Sequence, residues 1–161
     1  MDDFEKLDVI ISAFDAFQSI GNPWYNGHQK RCAAACVRFL EHLNNNVYSM
    51  NMTEEFTKQV SYAARCHDIG KSAVPEGIQN KQGRLTDGEW DILRKHSTHG
   101  YDIIESVGLA DKTIPLIVKY VHECWNGGGY PDGIKELTIP IGSRILSIVD
   151  ALDAMTNNRV Y

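Results

Sequence analysis

The chain has 161 residues, 43% of them hydrophobic, and a formal net charge of −5. That is room for one domain with a proper core and the wrong sign for a nucleic-acid coat or a polybasic membrane anchor. No apolar run is long enough to span a bilayer, and the start MDDFEKLDVI is acidic where a signal peptide would be basic, so a cytoplasmic protein with no nucleic-acid and no membrane partner is expected. A small anionic ligand stays open, because a metal or a few cations reverse the field inside one cleft.

Hydrophobic periodicity is helical nearly throughout and no segment alternates with period two, which makes the fold class all-α. Leu7, Ile10, Ile11, Phe14 and Phe17 form one stripe of a helix within residues 1–21, broken by Gly21-Asn22-Pro23. A second helix begins near His28, buries Cys32, Cys36, Phe39, Leu40 and Leu43, and ends at Asn44-Asn45-Asn46. Thr53 is placed to cap a third, with Phe56, Val60, Ala63 and Ala64 inward. Thr86-Asp87-Gly88-Glu89 reads as a capping box opening a helix that carries Trp90 and Leu93 and ends on His96. Tyr101, Ile104 and Val107 follow. The next helix takes Pro115 in its first turn, carries Ile117, Val118 and Val121, and ends on His122. Ile141, Ile145, Ile148, Val149 and Leu152 line the last. Cys32, Cys36, Cys66 and Cys124 match no zinc-knuckle spacing and read as buried core residues.

Four histidines and two aspartates stand at telling places. His28 opens a helix, His67 and Asp68 close one inside CHDIGK, and His96 and His122 end two more. Asp150 lies among Ile148, Val149, Ala151 and Leu152, where a carboxylate is costly unless paired or bound to metal. Imidazoles with carboxylates make a mixed nitrogen and oxygen donor set suited to iron, manganese or zinc. His99 reads as a spare surface group and Ser72 as a local cap; no Ser-His-Asp arrangement is apparent. The stretch VHECWNGGGYPDG over 121–133 ends an apolar run on His122-Glu123 and then breaks the chain with glycines and a proline. It is either a ligand at a helix terminus followed by a pocket-shaping loop, or a helix stop.

Taken together, NPWYNGH (22–28), HDIGKSAVP (67–75), ILRKHSTHGYDII (92–104), HECWNGGGYPDG (122–133) and IPIGSRILSIVDALDAMTNNR (139–159) resemble the HD-GYP branch of the HD metal-dependent phosphohydrolases. The resemblance runs from about Ile11 to Tyr161. It implies a single HD-domain helical bundle with a GYP loop. It also implies hydrolysis of a cyclic dinucleotide, cyclic di-GMP first, by a hydroxide bridging divalent metals. By the same resemblance, His28, His67, Asp68 and Asp150 match the ligands of one metal. Asp68 bridges to a second, completed by His96 and His122. Lys71 matches a lysine at the scissile phosphate, Gly129, Tyr130 and Pro131 the name-giving loop at the substrate, and Arg159 a phosphate-binding arginine. Glu123 is then either an orienting group near the metals or a solvated helix-end carboxylate.

The chain also departs from the family pattern. Trp24 and Val121 stand where three-metal members carry a further Glu and His, which points to two metal ions, iron or manganese with zinc as a further option. Cys124 and Asn126 replace the usual Arg and Asp of the loop, and the chain stops at Tyr161 where family sequences continue with further helices. Two alternatives follow: an HD phosphohydrolase acting on another nucleotide, because the HD core does not fix the substrate and the flanks of the loop are altered, or a non-catalytic signalling domain, motivated by Val121, Cys124 and Asn126. A homodimer or a signalling-protein partner is compatible with either.

Overall fold

The computed structural model describes residues 2–21, 27–46 and 52–157. Along them run α1 (Asp3–Gly21), α2 (His28–Asn46), α3 (Glu54–Cys66), a 3-10 turn (Ile69–Ala73), α4 (Glu76–Gln79), α5 (Asp87–Arg94), α6 (His96–Ser106), α7 (Thr113–Lys119), a second 3-10 turn (Glu136–Thr138) and α8 (Ile141–Thr156). There is no strand among the described residues, as the period of the sequence requires.

Local chemistry starts two of these helices where the sequence places them. The Thr53 hydroxyl accepts from the backbone N–H of Phe56 at 3.0 Å, satisfying a donor that the first turn of α3 leaves open. At α5, Thr86 Oγ1 accepts from Glu89 N at 3.3 Å, and Glu89 Oε2 accepts from Thr86 N at 2.7 Å. This is the reciprocal box that the sequence spells.

α2 packs on α3 and α8, α3 on α7, and α6 on both α7 and the first 3-10 turn. Small residues line the buried faces of α2 and α3: Cys32, Ala33 and Cys36 on α2, and Ala63 and Ala64 on α3. Small side chains at a contact shorten the distance between helix axes. Leu7 and Ile11 seal α1 against this core, and Asp8 accepts from the Tyr62 hydroxyl at 2.8 Å and from Arg65 at 2.9 Å on α3.

Several expected core residues lie elsewhere. Phe17 is 66% exposed, Trp90 43%, Ile148 58% and Leu152 51%, while Phe39 and Leu43 are half-buried. On α8, Ile145 and Val149 share the inward face with Leu146, and the pair Ile148 and Leu152 is turned outward. A helix with two apolar stripes does not reveal which one faces in until its neighbours are in place. Trp90 belongs to α5, a surface helix that buries none of its residues. Cys124 is exposed, in the loop after α7, whereas the other cysteines are buried. His96 opens α6 after a break at Lys95 instead of ending the capped helix, and His122 lies in the turn beyond α7, which stops at Lys119.

Candidate metal centre

The site begins where three helices meet. α2 opens on His28, α3 is closed by His67 as its C-cap, and α8 presents Asp150 from its inner flank. His28 Nε2 lies 3.2 Å from Asp150 Oδ1, and His67 Nε2 lies 3.9 Å from the same oxygen. The two imidazoles meet edge to face with ring centres 5.3 Å apart. His67 Nδ1 donates to the carbonyl of Ala64 at 2.9 Å, which turns Nε2 toward the cluster. One ligand atom from each of His28, His67 and Asp150 falls within 4.8 Å of the others.

A second group faces it. His96 Nδ1 donates to Leu93 O at 2.7 Å, the carbonyl one turn back, so that Nε2 points to His122 Nε2 at 3.0 Å. The Tyr130 ring stacks on His122 at 4.9 Å with 25° between planes, and the Arg94 guanidinium lies 5.8 Å over the tyrosine ring.

Asp68 stands between the groups. Its Oδ1 is 3.7 Å from His67 Nε2 and 4.0 Å from His96 Nε2, and its Oδ2 accepts from Lys71 Nζ at 2.8 Å. Burial alone would raise its pKa, but Lys71 and the imidazoles of His67 and His96 outweigh this and hold the carboxyl well below the usual range. For Asp150, too, burial is overcome by the hydrogen bond from His28 and by His67, so its carboxyl is depressed. Burial lowers His96, and it lowers His122 to about 3 with help from His96. Near pH 7 the site therefore offers ionised carboxylates at Asp68 and Asp150 and neutral imidazoles at His96 and His122, the protonation states that divalent metals bind.

The approach that joins Asp68 to His96 depends on Gly70. A Cβ there would lie 1.9 Å from the carbonyl oxygen of His96 and 2.4 Å from the backbone nitrogen of Gly100, so the 3-10 turn packs on α6 backbone to backbone. Gly129 has the same role in the loop: a Cβ would meet Cys124 N at 2.3 Å and Glu123 Cα at 2.5 Å. This fold-back places Tyr130 over His122, and Tyr130 N donates to His122 O at 3.2 Å. Glu123 is neither solvated nor seen against a histidine. It is buried, and its Oε1 accepts from the backbone nitrogens of Asp132 at 2.8 Å and Gly133 at 2.9 Å, pinning the loop just past Pro131. Asn126 Oδ1 accepts from Gly128 N at 2.9 Å and so serves the loop's own turn.

Of the residues singled out from the sequence, His28, His67, Asp68, Lys71, His96, His122, Tyr130 and Asp150 converge here. Arg159, Trp24 and Tyr161 lie outside the described residues. Sequence reasoning passed over Asp153, Gly70 and Arg94. Asp153 carried a usable signal, since SIVDALDAM sets a second carboxylate three residues after Asp150 in the same apolar helix. Arg94 carried none. The clustered nitrogen and oxygen donors suit divalent transition metals. Cys32, 3.6 Å from His28 Nδ1, is a poor further ligand, because burial pushes its thiol well up and keeps it neutral.

The chain is similar to several known proteins. The HD domain family model matches residues 19–161. A cyclic di-GMP phosphodiesterase of Thermotoga maritima is 38% identical over 113 residues, 70% of this chain and 31% of that protein. The cyclic di-GMP phosphodiesterase response regulator RpfG of Xanthomonas campestris is 34% identical over 115 residues, 70% of this chain and 30% of its own. The 3'3'-cGAMP-specific phosphodiesterase 2 of Vibrio cholerae is 33% identical over 138 residues, 83% of this chain and 24% of its own. The chain thus spans at most about a third of the length of these relatives. No helix among the described residues is long and apolar enough to cross a membrane. With the HD dipeptide at the centre of the cluster and the GYP loop folded over it, the chain belongs to the HD domain family, in its HD-GYP branch.

Proposed function

We propose that this domain hydrolyses a phosphodiester bond of a cyclic dinucleotide, cyclic di-GMP in the first instance. His28, His67, Asp68 and Asp150 would hold one divalent ion, and Asp68, His96 and His122 a second, with iron or manganese favoured over zinc. One observation carries this reading. The buried carboxylate of Asp68 directs Oδ1 at both imidazole groups, 3.7 Å from His67 and 4.0 Å from His96, while Oδ2 holds Lys71. Such ions, when bound, activate water and neutralise charge on a phosphate.

The side chains divide the remaining work. Lys71 brings a positive charge to the edge of the cluster, its side chain 25% exposed, where it can meet a non-bridging phosphate oxygen as charge builds up. Low proton affinity keeps His96 and His122 available as nitrogen donors at neutral pH. Burial pushes the Tyr130 phenol up, so its hydroxyl stays neutral and can donate a hydrogen bond to the substrate. Gly129 and Pro131 shape the loop that carries it, and Glu123 holds that loop down. Arg159 is proposed as a further phosphate contact from its place in the motif.

A second cyclic dinucleotide has specific support. Relatives named as 3'3'-cGAMP-specific phosphodiesterases align over 83% and 96% of this chain. The deciding experiment incubates metal-loaded protein with cyclic di-GMP and, separately, with 3'3'-cGAMP, and identifies products by chromatography. Metal-dependent formation of the linear dinucleotide is expected, and Asp68→Ala should abolish it together with metal retention. Binding without cleavage, with Lys71→Ala changing nothing, would make the domain a ligand-binding module.

A further inference from the structure

Asp153 lies one helical turn beyond Asp150 on α8 and is buried, with 8% of its surface exposed. Its carboxylate accepts four hydrogen bonds. Oδ1 takes Arg31 Nε at 2.7 Å and Asn157 Nδ2 at 3.0 Å, and Oδ2 takes Arg31 Nη2 at 3.0 Å and His28 Nδ1 at 2.6 Å. A carboxylate gripped through both oxygens by a guanidinium is ionised and can only accept, so His28 Nδ1 is the donor. The opposite ring nitrogen, Nε2, then faces Asp150 and the His67 side of the cluster. One ligand atom each from His28, Cys32 and Asp153 also falls within 4.8 Å of the others, as in a metal site. Both Asp153 oxygens are already committed, however, so this trio is backing and not a second centre.

We infer that Asp153 is a positioning residue for metal binding: clamped by Arg31 and Asn157, it holds the proton on His28 Nδ1 and leaves Nε2, which hydrogen-bonds Asp150 in the metal-free protein, as the nitrogen for an ion at the centre formed with His67 and Asp150. The inference rests on the reading of His28 as a metal ligand. A carboxylate behind a ligating imidazole orients the ring and raises its basicity, and losing it typically weakens metal affinity about 10–100-fold. The effect should be confined to the ion held by His28.

The test titrates metal-free protein with Mn²⁺, reading free ion by its EPR signal, for the wild type, Asp153→Asn and Arg31→Gln. Asp153→Asn should weaken one class of site by about 10–100-fold and leave the other unchanged, with Arg31→Gln giving a smaller loss in the same class. If Asp153→Asn fails to fold, nitrogen-15 NMR of zinc-loaded wild type decides, with His28 expected to be protonated on Nδ1. Unchanged affinities in Asp153→Asn, equal losses at both sites, or a His28 proton on Nε2 would each overturn the inference alone. Wild-type protein that takes up no Mn²⁺ would overturn the metal-hydrolase reading as well.

Discussion

The two halves of the site are built from different material. His28, His67 and Asp150 stand on or at the end of helices of 19, 13 and 16 residues, and those helices pack on one another through the core. His96 and His122 stand at the first residue of α6 and in a turn beyond α7, and the aromatic lid on them hangs on a loop. In the first half the core sets the positions of the candidate ligands, and a buried carboxylate hydrogen-bonds one ring. In the second, backbone does the work: Leu93 O orients His96, Gly129 permits the fold-back, and Glu123 ties down two loop nitrogens. Helices give rigidity to whichever groups chemistry always needs, and a loop leaves the substrate-facing side open to variation.

Asp68 and Lys71 belong to both halves, so the most severe test strikes the turn that carries them. Gly70→Ala would force a Cβ against the backbone of His96 and Gly100, neither of which can yield cheaply. A loss of about 3 kcal/mol in urea unfolding is expected, with metal binding lost at both halves. If only one half loses its ion, the turn does not serve both halves.

Lys71→Ala should separate chemistry from assembly. Metal content is expected to match the wild type in elemental analysis, while kcat falls by about a hundredfold, the cost of losing one contact that stabilises transition-state charge. A lost ion in this variant would mean that Lys71 serves to hold Asp68 in place.

Acid should weaken the second half. Burial holds His122 at about 3, against an ordinary 6.5, and His96 is lowered too. Below pH 6.5 the unfolded chain therefore takes up protons that the folded one refuses, and stability falls with falling pH. Asp68 and Asp150, depressed instead, stabilise the fold above their ordinary value of 3.8 and add no slope in this window. From pH 6.5 to 5, His122 alone costs about 2 kcal/mol, at about 1.4 kcal/mol per pH unit. Thermal unfolding of chelator-treated protein at pH 7.5 and 5 measures this; a flat Tm would show that these rings are open to solvent.

The smallest effect is expected at the loop. Glu123→Gln keeps the shape but removes the charge that accepts from Asp132 and Gly133, a loss of about 1 kcal/mol. KM should rise several-fold with kcat nearly kept, because Tyr130 is held less firmly while the cluster stays intact. An unchanged KM would place Tyr130 away from the substrate.

Much of this architecture can be read along the chain without a structure. Thr53 and the Thr86–Glu89 box start their helices because a cap is a contact across three residues, and the all-α class follows from the period of the apolar residues. The six metal-binding candidates were legible only in sum and through the family resemblance, because a single helical histidine or an HD dipeptide is commonplace, whereas HDIGK, the spaced histidines, Asp150 and the GYP loop together are specific. Burial on the surface helices was not. Ile148 and Leu152 have the same local pattern as Ile145 and Val149, and only the packing of α8 against α2 and α7 decides which pair is covered. The work of Gly70 and Glu123 was equally hidden, and Asp153 showed only as a second carboxylate in an apolar helix, not as the partner of His28. Each acts on a group from another segment, and a contact made through space leaves no mark in the local sequence on either side.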